Sequence, residues 1–290
     1  MTKIPWTQHT WNPVVGCRKV SPGCDHCYAE RMAQRLAAMG LRQYQDVLTD
    51  GRWNGQVALA SNRHWASVPK SGLCFVCSMS DLFHNAQPMR ALDNGVGFDG
   101  VPYEWIHSVY GAIEDHPKTT FQILTKHPEA VRAFYQWSEQ FCGHKNMSLP
   151  NIWFGVTCEN QELLDLRTED LLQIPVAVRF VSMEPLLGPA ALNLATPCDR
   201  NCNEFSYAEC PGTAGLCVVQ NRLDWVIVGA ESGPGRRPCR IEWVRDIVGQ
   251  CRAAGVPVFI KQLDLPGHTK VVKDVTMFPA DLQIQQWPTS

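Results

Sequence analysis

Short apolar segments alternate with helical segments along most of this chain, and this alternation limits the folds that it can adopt. The apolar segments are rich in β-branched and aromatic residues, which is typical of strands buried on both faces. They are Leu73–Ser78, Phe121–Leu124, Ile152–Val156, Val176–Val181, Trp225–Val228 and Val258–Ile260. Strands that alternate with helices form βαβ units, so the pattern predicts an α/β fold with a mostly parallel sheet.

Helical periodicity fills the intervals between these strands. Helices are predicted to begin near Tyr28, Pro102 and Pro128, to cover Glu159–Leu172, and to include Val244–Cys251. The chain has 290 residues, of which 45% are hydrophobic, and that is enough for a partial or complete parallel (β/α) barrel. We therefore predict one barrel domain over residues 1–290, with a Cys-rich insertion over residues 193–223.

Charge and cysteine content narrow the functional classes. The formal net charge of −2 excludes a uniformly basic nucleic-acid-binding protein, although it allows a local basic groove.

No apolar run is long enough to span a membrane, and the N-terminus lacks the apolar segment of a secretory signal. We therefore expect a cytoplasmic protein with no membrane partner. In a reducing cytosol, 13 cysteines favour metal binding or redox chemistry over disulfides.

Polar residues stand at the carboxyl ends of all six predicted strands. They are Ser80 and Asp81, Thr125 and Lys126, Thr157 to Asn160 (which includes Cys158 and Glu159), Glu184, Glu231 and Ser232, and Lys261 and Gln262. The carboxyl ends of the strands form the active face of a (β/α) barrel, so we predict a functional site there. The alternative is that these side chains only cap helices, but capping does not favour lysine or paired glutamates.

Three cysteines lie in one Pro/Gly-rich loop directly before the first predicted helix. Cys17, Cys24 and Cys27 have the spacing C-x6-C-x2-C. Three thiolates can hold an iron–sulfur cluster that leaves one iron open to another ligand. Two alternatives remain: a structural zinc with His9, His26 or a distant cysteine as fourth ligand, or three unrelated thiols.

Other cysteines and one basic loop give weaker signals. The insertion contains a second predicted metal site, which would hold zinc or an auxiliary iron–sulfur cluster. The alternative is that these cysteines bind no metal. The predicted ligands are Cys198, Cys202, Cys210 and Cys217. Cys74 and Cys77 are predicted to be core residues of a strand. The Gly-rich segment Ser232–Arg240 carries three arginines, and it is interpreted either as a phosphate-binding loop or as a charged surface turn.

The cysteine loop and several strand ends resemble a known family. A three-cysteine loop near the start of a parallel barrel is similar to that of the radical S-adenosylmethionine (radical SAM) enzymes, and GCDHCYAERMA resembles the cluster loop of spore photoproduct lyase and its relatives. The whole chain resembles the uncharacterised phage and prophage gene-product 37/68 family. The matching segments are TWNPVVGCRKVSPGCDHCYAERMA, FVCSMSDLFH, FQILTKHPE, WFGVTCENQ, RFVSMEPLLGP, DWVIVGAESGPGRRP and PVFIKQL.

This resemblance implies roles for individual residues. A 4Fe–4S cluster would be held by Cys17, Cys24 and Cys27, and S-adenosyl-L-methionine would bind its open iron. The cofactor-binding residues implied are Ser80, Asp81, Thr125, Glu159, Asn160, Glu231 and Ser232. The catalytic residues implied are Lys126, Glu184 and Lys261, with Gln262 beside them.

The resemblance also implies an activity and partners. It implies an enzyme that reductively cleaves S-adenosylmethionine and acts on a nucleic acid base or nucleotide. The expected partners are an electron donor such as flavodoxin or ferredoxin, and a three-Cys-motif protein. Two other functions remain open: a zinc-stabilised, non-catalytic nucleic-acid-binding protein, and an iron–sulfur redox protein that does not cleave S-adenosylmethionine.

Overall fold

A parallel sheet organises the protein. The structure is a computed structural model that describes residues 2, 4–61, 65–89, 98–143, 147–194 and 222–289. The strands in this part of the chain are β1 (His9–Trp11), β2 (Val14–Val15), β3 (Leu48–Thr49), β4 (Arg52–Trp53), β5 (Ala58–Leu59), β6 (Gly72–Val76), β7 (Thr119–Thr125), β8 (Ile152–Thr157), β9 (Val178–Met183), β10 (Trp225–Gly229) and β11 (Val258–Gln262). Seven of these described strands form one sheet in the order β1-β6-β7-β8-β9-β10-β11, and all its pairings are parallel. The sheet curls into a half-barrel, so the prediction of a parallel α/β fold is confirmed.

In the part of the chain that the structure describes, helices lie between successive strands of the sheet except between β9 and β10, where residues 195–221 lie outside the described residues. They are α1 (Tyr28–Ala38), α2 (Arg42–Gln45), α3 (Tyr103–Glu114), α4 (Pro128–Cys142), α5 (Gln161–Leu171) and α6 (Ile241–Ala254). The connection from β1 to β6 also contains two small antiparallel pairs, β2 with β5 and β3 with β4. None of the described helices has the length and apolar character that a membrane crossing requires.

The two faces of the sheet have different packing. Alternate residues of β10 illustrate this, because Val226 and Val228 pack in the core beneath the helices, whereas Trp225 and Ile227 point to the concave face. Aromatic residues fill part of that concave face, and we call them the inner aromatic cluster: Trp6, Phe75, Trp153, Phe180, Trp225 and Phe259. Polar side chains gather beyond this cluster, at the carboxyl ends of the strands.

The observed limits differ from the predicted ones at a few positions. The strand predicted over Leu73–Ser78 ends at Val76, because Cys77 has a positive φ of 60° that ends the extended conformation. The last strand extends two residues further than predicted, through Gln262. The helix predicted from Glu159 begins at Gln161, since the Asn160 side chain accepts a hydrogen bond from the backbone N–H of Leu163 and caps it. The three-residue strand β1 was not among the predicted strands.

Candidate functional site

The three-cysteine loop lies at the carboxyl edge of the sheet. Gly16, at its start, forms a parallel bridge with Ser80, four residues beyond the end of β6. The loop then makes a short 3₁₀ turn at Pro22–Cys24, and Cys27 is the residue that precedes α1. The positive end of the α1 dipole therefore points towards the loop, which favours negative charge there.

The surroundings of Cys17 disfavour its thiolate form. Burial raises the pKa of the Cys17 thiol well above its usual value. The negative charges of Asp81, Cys27 and Cys24 raise it further. Within the described ranges, no group of three or more His, Cys, Asp or Glu side chains is arranged so that it could hold a metal ion. Three cysteine side chains are nevertheless the type of donor that an iron–sulfur cluster or a zinc ion uses.

Glu159, just beyond β8, anchors the first half of the loop. Its fully buried carboxylate accepts hydrogen bonds from the Ser21 hydroxyl and the Lys126 ammonium. Nη1 of Arg167 lies 3.0 Å from the other carboxylate oxygen. Burial alone would raise the pKa of Glu159, but Lys126, Ser21 and Arg167 outweigh it and lower that pKa. A side chain at Gly23 would overlap the same carboxylate, so the loop lies directly against it.

Glu231, just beyond β10, anchors the second half of the loop. The Nδ1 atom of His26 lies 3.0 Å from one carboxylate oxygen, and Arg237 donates to both oxygens from its side chain. Arg237 also donates to the carbonyl of Pro22 (2.8 Å) and to Asp25 (3.2 Å). Burial alone would raise the pKa of Glu231, but the hydrogen bonds from Arg237 and His26 lower it to about 2. The loop is thus tied to two non-adjacent strands.

Asp81 joins the ends of β6 and β7. Its carboxylate accepts the Thr125 hydroxyl (2.6 Å) and the backbone N–H groups of Lys126 (2.7 Å) and Phe83 (3.0 Å). Ser80 donates its hydroxyl to the carbonyl of Val14 at 2.8 Å. These bonds hold the two strand ends and the start of the cysteine loop in one rigid arrangement.

Glu184 and Lys261 form a separate ion pair at the ends of β9 and β11. The ammonium of Lys261 lies 2.6 and 2.7 Å from the two carboxylate oxygens of Glu184. Both side chains are about one-fifth exposed, at 18% and 19%. Gln262 donates to Glu184 at 3.3 Å and to the carbonyl of Ala230 at 2.6 Å. Glu184 and Lys261 are therefore an acid and a base that bind mainly each other and are partly accessible to solvent.

The remaining predicted residues have structural contacts. Asn160 caps α5, and the carbonyl of Ser232 accepts a bond from Arg31. Cys158 is fully buried, and burial raises the pKa of its thiol to about 12. Cys74 and Cys77 are buried in the core, as predicted, but only Cys74 lies in a strand, because β6 ends at Val76. The residues predicted to hold a second metal, Cys198, Cys202, Cys210 and Cys217, lie outside the described residues.

Two anchoring residues, Ser21 and Arg167, escaped the sequence analysis. Arg237 was part of the predicted Gly-rich segment, but its bonds to Glu231 and the cysteine loop were not predicted. A signal existed for Arg167, because it stands between Leu164 and Leu171 on the buried stripe of α5. A charged residue on such a stripe requires a buried partner, and here that partner is Glu159.

Comparisons with known proteins give one result. A family model described as "Protein of unknown function (DUF5131)" matches residues 1–276. No curated protein and no solved structure matches the chain.

Proposed function

The chain belongs to the DUF5131 family, whose description is protein of unknown function, and we propose that it is an iron–sulfur enzyme of the radical SAM type. One observation carries this proposal: a loop that contains three cysteines is held against the carboxyl ends of parallel strands. Glu159 holds the loop through Ser21, and Glu231 holds it through His26 and through Arg237, which donates to the carbonyl of Pro22. A loop that served only as a surface turn would not need two buried carboxylates to hold it.

The residues of the loop suit a cluster with one open iron. Cys17, Cys24 and Cys27 would supply its three thiolates, and the N-terminus of α1 would stabilise the negative charge. When bound, such a cluster would supply the one electron needed to cleave a C–S bond of S-adenosylmethionine. Ser80, Asp81 and Asn160 line the same edge of the sheet, where we propose that the cofactor is oriented.

The strand ends divide into positioning residues and residues that touch the substrate. Lys126 bonds to Ser21 and Glu159, so we assign it to positioning the cysteine loop. The Glu184–Lys261 pair is bound mainly within itself and partly exposed, so it is the pair that would hold or move a proton at the substrate. The proposed substrate is a nucleic acid base or nucleotide, and the reductant is a flavodoxin or ferredoxin.

Anaerobic purification followed by metal analysis tests this proposal. We expect iron and sulfide in the protein, and release of 5′-deoxyadenosine when dithionite and S-adenosylmethionine are added. Iron without this product would support the iron–sulfur redox alternative. Zinc alone would overturn the enzyme assignment and favour a metal-stabilised binding protein.

Two matched cysteine variants assign the ligands. Cys24→Ala is expected to abolish iron binding and the visible absorbance of the cluster, because it removes one of three ligands. Cys74→Ala removes a buried thiol of β6 and is expected to keep the iron, at a stability cost of about 1 kcal/mol. Equal loss of iron in both variants would contradict the ligand assignment.

A further inference from the structure

A groove follows β11 at the same edge of the sheet as the cysteine loop. It has a volume of about 340 Å³. Its lining includes His268, Thr269, Lys270, Lys273, Asp274 and Met277. The groove lies outside the cluster site and no residue of the proposed chemistry lines it, so it requires a separate explanation.

The groove is a local basic surface on a chain with a net charge of −2. Lys270 and Lys273 are exposed, and neither forms an ion pair with any residue that the structure describes. Asp274 also lines the groove and keeps its negative charge, because one carboxylate oxygen accepts bonds from the backbone (3.0 Å) and hydroxyl (2.7 Å) of Thr276, but the two lysines outnumber it. Two unpaired ammonium groups on an open groove are the donors that a phosphate group attracts.

The hairpin that forms the groove is held rigidly. Leu263 and Val272 exchange backbone hydrogen bonds of 3.0 and 2.8 Å, which close the hairpin at its base. Arg236 spans the hairpin, because its guanidinium donates to Asp264 (3.0 Å) and to the carbonyl of Thr269 (2.8 Å). A preformed groove of this kind loses little conformational entropy when a ligand binds.

Two consecutive arginines connect the groove with the cysteine loop. Arg236 holds the hairpin, and Arg237 binds Glu231 and the carbonyl of Pro22. A ligand on the hairpin therefore lies beside the loop that would carry the cluster. Arg240, farther along the same Gly-rich segment, is exposed and stacks on Trp243, with its guanidinium carbon 5.7 Å from the ring centroid.

We propose that this groove binds the phosphates of a single-stranded nucleic acid through Lys270 and Lys273. The inference rests on the proposed function and deepens it, because it specifies a single strand and the surface that binds its phosphates. Two exposed lysines along one open groove suit a chain of several phosphates better than a single one. A single strand is favoured because chemistry on a base requires that the base leave the stack.

Binding of a fluorescently labelled single-stranded oligonucleotide tests the proposal, with the full chain as purified and without reductant or S-adenosylmethionine. The test variant is the pair Lys270→Gln and Lys273→Gln. The matched control is the pair Lys70→Gln and Lys118→Gln, which removes equal charge from exposed sites next to the amino ends of β6 and β7. We expect the test pair to weaken binding on the order of tenfold at about 0.1 M salt, and the control pair to leave it unchanged.

The salt dependence provides a second readout. Loss of two phosphate contacts should reduce the slope of log K against log salt by about 1.4, at about 0.7 for each contact on a single strand. Unchanged binding by the test pair, or equal weakening by both pairs, would overturn the proposal. Inorganic phosphate that competes as well as an oligonucleotide would show a small phosphate ligand instead and overturn the nucleic acid assignment.

This test is independent of the cluster chemistry. Oligonucleotide binding that depends on Lys270 and Lys273 in a protein without iron would support the groove and refute the enzyme. Release of 5′-deoxyadenosine from a protein that binds no oligonucleotide would support the enzyme and refute the groove.

Discussion

Glu159 is a fully buried carboxylate that pairs with two cations, Lys126 and Arg167. Loss of its charge would leave both cations without a counter-charge, and breaking a buried pair in this way costs about 3 kcal/mol or more. We therefore predict that Glu159→Gln lowers the free energy of unfolding by about 3 kcal/mol, measured by urea denaturation at neutral pH.

The matched control for this variant is Glu169→Gln. Glu169 is exposed on α5, so its substitution should change the free energy of unfolding by no more than about 0.5 kcal/mol. Equal effects of the two substitutions would mean that the pairs at Glu159 contribute no net stability.

Glu231 is expected to make the free energy of unfolding depend on pH in the acid range. Its pKa in the folded protein is about 2, compared with an ordinary value of 4.5. The ionised carboxylate therefore stabilises the fold above about pH 4.5, and this contribution is lost as the pH falls towards 2. We predict that Glu231→Gln is less stable than the wild type at neutral pH and that this difference shrinks across that window. A difference that stays constant between these pH values would contradict the lowered pKa.

At the scale of elements, the cysteine loop depends on a close approach at Gly23. A Cβ atom there would overlap the carboxylate of Glu159, which Ser21, Lys126 and Arg167 already fix in place. We predict that Gly23→Ala displaces the loop and lowers the iron content of the reconstituted protein several-fold, measured as iron per chain.

Gly188→Ala is the control for the loop variant. Its Cβ would meet no atom within 4 Å, and its φ is not positive, so the substitution should leave the iron content unchanged. Full iron binding by Gly23→Ala would show that the loop tolerates movement away from Glu159.

The sequence predicts elements better than the contacts between them. The strands and helices were recognisable because periodicity and caps act within a few residues. The sequence also predicted that Glu159 and Glu231 lie at the carboxyl edge of the sheet, because each comes just after a predicted strand. Their partners did not, because Ser21 lies 138 residues from Glu159 and His26 lies 205 residues from Glu231. Such pairs depend on the curl of the whole sheet, which no local pattern encodes.

At the scale of the whole molecule, the half-barrel has two edge strands, β1 and β11. The C-terminal segment lies along β11, because the N–H of Ile260 donates to the carbonyl of Ile284 at 3.0 Å. Trp287 then reaches the segment before β1, and its indole N–H donates to the carbonyl of Trp6 at 3.3 Å. The terminal segments thus connect the two edges at the amino end of the sheet, opposite the cysteine loop.

Trp287 provides the test of this connection. Its ring centroid lies 4.9 Å from that of Phe259, and the side chain is only partly exposed, at 39%. Trp287→Ala would remove one aromatic contact and one hydrogen bond, so we predict a loss of about 1–2 kcal/mol in the free energy of unfolding. The iron content should be unchanged, because the cysteine loop is anchored at the other end of the strands.

Met277→Ala, at a site that is 53% exposed, is the control and should have little effect on stability. If Trp287→Ala also lowered the iron content, the two ends of the half-barrel would be coupled, and the cysteine loop would depend on the connection between the edges as well as on its own ion pairs.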